Sequence, residues 1–151
     1  MLEDGSDNLV LLIGAVRRRL RPFMVAQCER FGYQPVEAWI LFTLSHQEGL
    51  TQKEIGSILA VNKTFVMRAI NSLVEKKLVE RRKDGADNRA NYIYLTPGGL
   101  SAMPTIREIF DSVEQHAFQF LTVHEKEVML LMLNKADDGL RQLTIETPKN
   151  P

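Results

Sequence analysis

The sequence has few features of a secreted, membrane-spanning or disulfide-stabilised protein. Cys28 is the only cysteine among its 151 residues, so no internal disulfide can form, which favours a reducing compartment. No apolar run approaches the roughly 20 residues that a transmembrane helix needs. The acidic start, Met1 to Gly5, is unlike a signal peptide. We therefore expect a cytoplasmic protein with no membrane partner.

The sequence also lacks the short motifs of common enzyme sites. It has no glycine-rich phosphate loop, no nucleophile elbow and no paired carboxylates with supporting residues. Its histidines are not spaced as metal ligands, and a zinc site could assemble only across helices, from His46, His116, His124, Cys28, Glu37 and Glu114. Scattered histidines are usually structural or solvated. We expect no catalysis, no cofactor and no metal ion.

Charge is balanced overall but distributed unevenly along the chain. The formal net charge is +0, which by itself does not indicate a nucleic-acid partner. Residues 63–89, however, carry eight basic and four acidic side chains, a local excess of +4. Residues 101–151 carry five basic and eight acidic ones, a local −3. This asymmetry suits a protein that holds a polyphosphate with one region, although many solvated surfaces are equally uneven.

The middle of the chain has the pattern of two short helices separated by a tight turn. Thr51 and Glu54 form a capping box that opens the first helix, which we expect to end near Ala60. Asn62 is placed to cap a second helix over about residues 63–77. Two short helices with so few residues between them predict a helix-turn-helix.

The second of these helices has two different faces. An apolar stripe that would pack inward consists of Val66, Ala69, Ile70 and Leu73. The other side carries residues that suit phosphates and base edges, namely Lys63, Thr64, Met67, Arg68 and Asn71. A lone solvated helix would look the same, so the interpretation depends on the neighbouring elements.

A predicted β-hairpin follows directly. Residues 78–83 and 90–95 are typical of short strands, and the residues between them are rich in turn formers. Arg89 lies at the tip, where it could reach a minor groove while the helix lies in the major groove. A helix-turn-helix followed by a hairpin is the winged arrangement.

Long helices flank this central region. The first is expected from about residue 7 to residue 31, bent at Pro22 and ended by Gly32, and a shorter one from residue 35 to about 47. Thr96 and Pro97 predict the cap and first residue of a helix that reaches about residue 121. A last helix covers about residues 124–143. The fold class is mainly α with a small β-wing.

Several segments in order resemble the MarR family, the multiple-antibiotic-resistance type of winged-helix regulators. They are Leu50–Ile55, Val61–Thr64, Leu73–Arg81, Asp87–Ala90 and Leu95–Gly99. The Asp-x-Arg of the wing, followed by Leu-Thr-x-x-Gly, is the most diagnostic part. The resemblance extends from about Leu9 to Leu143.

The resemblance implies a homodimer that binds double-stranded DNA at a pseudo-palindromic operator, by default as a repressor. Residues 1–34 and 97–144 would form the dimerisation helices, residues 35–96 the winged helix-turn-helix, and residues 145–151 a flexible tail. Many relatives respond to a small aromatic or phenolic effector. The long apolar terminal helices agree with dimerisation, since neither has another obvious way to cover its apolar face.

Three departures from the family pattern stand out. Lys77 occupies the position of a glycine that usually ends the recognition helix, so the cap needs a left-handed non-glycine residue or another geometry. Phe65 and Met67 replace residues that are often serine or threonine, which changes the operator sequence to be expected. Pro97 and Gly98 replace a charged pair.

The helix faces and the resemblance together assign the DNA contacts. They are Gln52 on the supporting helix, Asn62, Lys63, Thr64, Met67, Arg68 and Asn71 on the recognition helix, and Arg82, Lys83, Asn88 and Arg89 on the wing. Asp87 is expected to orient a wing arginine rather than to touch DNA.

Other functions remain open at this stage. Cys28 could be a redox-sensing thiol, but a half-buried, unreactive cysteine is the expected alternative. Phe23, Trp39 and Phe42 could wall an effector pocket or belong to the core. A winged helix can also serve only for protein–protein contact, although interface cores are usually depleted in lysine.

Overall fold

The computed structural model describes residues 8–84 and 87–143, and it describes only the backbone of residues 84 and 87–89. The elements, in chain order, are α1 (Leu9–Arg30), α2 (Pro35–His46), β1 (Leu50–Thr51), α3 (Gln52–Leu59), α4 (Lys63–Glu75), β2 (Val79–Asp84), β3 (Asp87–Leu95), α5 (Pro97–Ala117) and α6 (Val123–Gln142). The chain divides into two compact units, Met1–Val113 and Glu114–Pro151. None of the described helices combines the length and hydropathy that a membrane crossing requires.

The core of the first unit is built from all of its helices. Cys28, Leu41, Ile55, Ile70 and Ile106, which come from α1 to α5 in turn, are fully buried. The mainly α architecture with a small β-wing is confirmed.

The strands form one antiparallel sheet in the order β1–β3–β2. Leu50 of β1 and Arg81 of β2 both lie opposite Ile93 of β3, and Ile93 is buried. The register shifts between Lys83 and Asp84, close to the hairpin tip. The hairpin was predicted, whereas β1 was not, because two residues carry no periodicity.

The helix-capping residues predicted from the sequence lie at helix ends in the structure. The Thr51 side chain accepts from the amide of Glu54, whose carboxylate accepts from the Thr51 amide in return, so the predicted capping box is confirmed. Gly32 follows α1 with a φ of 77°. Thr96 Oγ1 accepts from the Gly99 amide at 3.0 Å and caps α5, as expected.

The glycine at position 99 allows α5 to start close to the end of α4. A Cβ at Gly99 would lie 2.1 Å from the carbonyl oxygen of Leu78. No side chain fits that gap, since contacts below 3.0 Å require the backbone to shift. The glycine of the Leu-Thr-x-x-Gly segment therefore lets the first turn of α5 pack directly against the backbone at Leu78.

The second unit contains the end of α5 and all of α6. A capping box between Thr122 and Glu125 opens α6, while α5 ends at Ala117, four residues before the predicted end. No residue of α6 is buried. A 20-residue helix with no fully buried residue gains little from core packing within its own chain.

Candidate nucleic-acid interface

Helix α4 has one buried and one exposed face. Val66, Ile70 and Leu73 are fully buried and Ala69 nearly so, which confirms the predicted apolar stripe. The α4 residues assigned to DNA, together with the cap, are all exposed: Asn62, Lys63, Thr64, Met67, Arg68 and Asn71. The helix thus presents cations, a hydroxyl, amides and an apolar side chain to solvent.

The turn before α4 fixes where that face begins. Asn62 Oδ1 accepts a hydrogen bond from the Thr64 amide at 2.8 Å, as predicted for the cap. Ala60 ends α3 in the left-handed region with a φ of 51°, and the Val61 amide donates to the Gly56 carbonyl at 3.1 Å. A non-glycine residue in this region costs roughly 1–2 kcal/mol, so the packing of α3 on α4 must hold the turn.

The end of α4 uses a lysine where glycine is usual. Lys77 has a φ of 58°. Its amide donates to the Val74 carbonyl, and the Leu78 amide donates to the Leu73 carbonyl, both at 2.9 Å. These two bonds define a Schellman motif with a left-handed lysine at its key position. Of the two alternatives that the sequence left open, a left-handed non-glycine residue or another geometry, the structure has the first.

A buried carboxylate ties the end of α4 to the start of α2. Glu37 is 2% exposed and accepts from Lys76 Nζ at 2.8 Å, Ser72 Oγ at 2.5 Å and the Gln34 amide at 2.8 Å. Burial raises the pKa of this carboxyl, but the hydrogen bonds from Lys76, Ser72 and Gln34 outweigh burial and lower the pKa below its ordinary value. The Glu37 carboxylate therefore holds the end of α4 against the start of α2.

Two arginines at the base of the wing already have protein partners. Arg81 donates to the side-chain oxygen of Asn71, which links β2 to α4. Arg82 donates to Glu80 at 2.6 Å and lies 4.6 Å above the ring of Tyr94. Both arginines remain exposed, but the guanidinium of Arg82 is partly neutralised by its own strand.

The rest of the wing is only partly described. Lys83 is exposed near the tip. The side chains of Asp87, Asn88 and Arg89 lie outside the described residues, so the roles assigned to them stay predictions.

A groove of about 560 Å³ lies between the start of α3, the start of α4 and the wing strand β3. Its polar lining includes Gln52, Lys53, Lys63 and Asn91. The structure thus places the predicted Gln52 and Lys63 on one surface. Two lysines and two amides suit an anionic strand such as a sugar–phosphate backbone.

Four residues around the groove and α4 were not predicted from the sequence as part of this site. Lys53 and Asn91 line the groove, Arg81 reaches the recognition helix, and Glu37 holds its far end. The alternation of side chains along β2 could have separated Arg81 from Arg82, because neighbouring strand residues point to opposite faces. No local sequence pattern predicts the contact between Glu37 and Lys76, because the two residues are 39 positions apart.

Cys28 does not have the environment of a redox sensor. Its side chain is fully buried. Burial, followed by the nearby charges of Glu37 and Glu29, raises the pKa of the thiol to about 11. A thiol that stays protonated and inaccessible is a poor nucleophile. The redox-sensing hypothesis is therefore not supported, and Cys28 serves as a core residue.

The three aromatic residues considered for an effector pocket have different surroundings. Phe42 packs against Phe110 and His46 with tilted rings, and the ring centroids are 4.6 Å apart in each pair. Trp39 packs against the core, half buried. Phe23 is 54% exposed. Phe42 and Trp39 behave largely as core residues, and the pocket stays a prediction.

The histidines considered as metal ligands have other contacts. His46 Nδ1 lies 2.9 Å from the Phe42 carbonyl oxygen, and His124 lies 3.9 Å from Glu127. Within the part of the chain that the structure describes, no three histidine, cysteine, aspartate or glutamate residues are grouped closely enough to hold a metal ion.

The amino-acid sequence is similar to those of known transcriptional regulators. Residues 31–90 match the sequence model of the MarR family. A proposed transcriptional regulatory protein for the hcr operon of Thauera aromatica is 24% identical over 119 residues, 79% of this chain and 69% of that protein.

Solved structures share the fold. A MarR family transcriptional regulator from Silicibacter pomeroyi is 25% identical, with a TM-score of 0.76 over 89% of this chain and 90% of that one. A proposed MarR family regulator from Listeria monocytogenes, solved with a 26mer DNA, is 18% identical, with a TM-score of 0.80 over 89% of each chain.

The match over residues 31–90 covers α2, the helix-turn-helix and most of the hairpin, which are the elements that build the exposed face of α4. The regulators named above are similar along nearly the whole chain. The segment 31–90 is therefore similar to the MarR family of winged-helix transcriptional regulators, and the described chain has the fold that the solved regulators share.

Proposed function

We propose that the protein is a homodimeric, cytoplasmic repressor that binds a pseudo-palindromic operator in double-stranded DNA. Each subunit places α4 in the major groove and its wing in the adjacent minor groove, and a small aromatic or phenolic effector releases the complex. The observation that carries this proposal is the exposed face of α4, whose two ends are both fixed by hydrogen bonds.

A preorganised helix face favours specific binding. Because Asn62 holds the start of α4 and Glu37 holds its end, little conformational entropy is lost when the helix docks. Lys63 and Arg68 are exposed cations on this face, and such cations supply the sequence-independent part of DNA affinity.

The groove beside α4 extends the same surface. Lys53 joins Lys63 there, with Gln52 and Asn91 as hydrogen-bonding neighbours. A phosphate backbone that crosses this groove would place α4 against the base edges, because backbone contacts set the register of a recognition helix on the duplex.

Exposed apolar side chains support the homodimer. In α1, Leu9, Val10 and Leu11 are 74%, 79% and 61% exposed. In α6, the exposed apolar residues are Val123, Val128, Leu130, Leu131, Met132, Leu133 and Leu140. Soluble monomers rarely expose apolar surface on this scale. We therefore propose that residues 1–34 and 97–144 of one subunit pack against the same residues of a second subunit.

Three aromatic side chains are proposed to form the effector site. Trp39 and Phe42 are half buried in the first unit, and Phe23 offers an exposed ring on α1. An aromatic effector would stack on such rings with few polar contacts.

Fluorescence anisotropy with duplexes from the gene's own upstream region, scrambled controls and a salt series tests DNA recognition. We expect selective binding whose logarithmic affinity falls steeply with the logarithm of salt concentration. Lys63→Ala should weaken binding, whereas Lys77→Ala, which removes an exposed lysine beyond the other end of α4, should not. Equal affinity for scrambled DNA at every salt concentration would contradict the proposal and favour a protein-contact module.

Sedimentation at the same protein concentrations tests the assembly. A dimer is expected, and a stable monomer would refute the proposed pairing of α1 and α6.

A further inference from the structure

We propose that Met67 and Phe65 recognise the 5-methyl groups of thymine in the major groove, so that the operator carries thymines where α4 faces it. This inference rests on the proposed function and specifies the base chemistry that the recognition helix selects.

The two side chains are exposed beside the cations of α4. Met67 is 42% exposed and Phe65 is 59% exposed. Single exposed apolar residues are common, so their position is what matters. Residues three or four apart are neighbours on a helix. Met67 therefore lies one turn from Lys63, and Phe65 lies one turn from Arg68. Because residues two apart do not share a helix face, Met67 and Phe65 lie on opposite flanks of the exposed face of α4, and each would contact a different part of the groove.

The two asparagine side chains of α4 and its cap already accept hydrogen bonds within the protein. Asn62 Oδ1 accepts from the Thr64 amide at 2.8 Å, and Asn71 Oδ1 accepts from Arg81. An asparagine usually reads an A·T pair through two hydrogen bonds to adenine, one of which needs its oxygen as acceptor. With the Asn71 oxygen engaged, that route to A·T recognition is weakened on this helix.

The thymine methyl group is the other distinctive feature of an A·T pair in the major groove, and it is recognised by apolar contact. Phe65 supplies a flat apolar surface, and methionine is an adaptable side chain that fills irregular gaps. Burial of one methyl group corresponds to about a fourfold gain in affinity. Two half-sites of a dimer would together contribute roughly tenfold or more.

The experiment replaces thymine by uracil, which removes only the methyl group. Full-length protein first selects its operator from randomised duplexes. The selected duplex is then synthesised with thymine and with deoxyuridine throughout, and anisotropy titrations give the dissociation constants for wild type and for the double variant Phe65→Ser/Met67→Ser. Thermal unfolding verifies that the variant is folded. Arg68→Ala is the matched control on the same helix.

We expect the affinity of wild type to be at least fourfold lower for the uracil duplex than for the thymine duplex. For the double variant the loss should be less than half as large. Arg68→Ala should show the same thymine-to-uracil affinity ratio as wild type. Equal wild-type affinity for both duplexes would overturn the inference while the selected operator still supports the proposed function. An equal loss in wild type and double variant would also overturn it, because the methyl groups would then act through DNA shape or another residue. Failure to select any sequence would count against the proposed function itself.

Discussion

The ammonium of Lys76 lies 2.8 Å from Oε2 of Glu37 and joins the last turn of the recognition helix to the first turn of α2. The two partners differ in exposure, because the Lys76 side chain is 37% exposed and that of Glu37 only 2%. The lysine can recruit water if the pair is broken, whereas the carboxylate cannot. Breaking the pair would therefore destabilise the protein mainly because the buried Glu37 carboxylate would lose its partner.

Substitution Glu37→Gln should destabilise the protein by about 1–3 kcal/mol, because Lys76 loses its anionic partner while the amide keeps only part of the hydrogen bonding. Urea denaturation at pH 7 measures the change. Glu75→Gln removes an exposed glutamate from the same helix end and should stay within about 0.5 kcal/mol of wild type. Equal stability of both variants would mean that the ion pair contributes nothing.

The stability contributed by Glu37 should depend on pH in one direction. Its pKa in the folded protein lies below the ordinary value of 4.5, so the folded state favours the ionised form more than the unfolded state does. The contribution is complete above about pH 4.5 and is lost as pH falls through the lower folded-state pKa.

Urea denaturation of wild type and Glu37→Gln between pH 7 and pH 3 tests this linkage. We expect the difference between them to be constant from pH 7 to about 5 and to shrink below pH 4.5. The pKa values of Glu54 and Glu125 are also lowered, but these residues are unchanged in both proteins. A difference that grew on acidification would reverse the assignment.

Substitution Lys77→Gly should stabilise the protein by about 1 kcal/mol, since Lys77 pays the steric cost of a φ of 58° and glycine does not. The backbone bonds of the Schellman motif are available to either residue. Lys77→Ala is the matched control: it removes the charge and keeps the Cβ, so its stability should resemble that of wild type. Thermal and urea unfolding of the two variants decide the point, and a glycine variant less stable than the alanine variant would contradict the steric explanation.

Much of this architecture could be predicted because its signals are local. The capping box at Thr51, the cap at Asn62 and the Thr96–Pro97 start of α5 depend on residues two or three positions apart, and each is confirmed. The sequence singled out Lys77 as an unusual residue at the end of α4 but left two geometries open for it.

The parts that could not be predicted depend on distant pairs. The contact between Glu37 and Lys76 spans 39 positions, and that between Arg81 and Asn71 depends on the register of β2 against the core. The strand β1 exists only because Leu50 and Thr51 pair with β3. The burial of Cys28 likewise follows from the packing of whole helices, which no local pattern specifies.

Arg68 and Arg82 provide the sharpest test of which cations contact DNA. Arg82 is held by Glu80 and by the ring of Tyr94, so transferring it to a phosphate requires these contacts to be replaced. Arg68 projects from the exposed face of α4, and within the described residues its side chain shows no such partner. The two arginines should therefore contribute unequally to operator affinity, although both were assigned to DNA from the sequence.

We expect Arg68→Ala to weaken operator binding by about 1–3 kcal/mol, or roughly 5- to 150-fold, whereas Arg82→Ala should change it by less than about threefold. Anisotropy titrations on the selected operator and on scrambled DNA, each across a salt series, measure both effects. If Arg68 reads a base, its loss also narrows the gap between operator and scrambled DNA. If Arg68 contacts only phosphate, both affinities fall together and the salt slope decreases by about one. A larger effect at Arg82 than at Arg68 would show that the wing releases this arginine from Glu80 on binding, and that the contacts seen at its base are a resting arrangement.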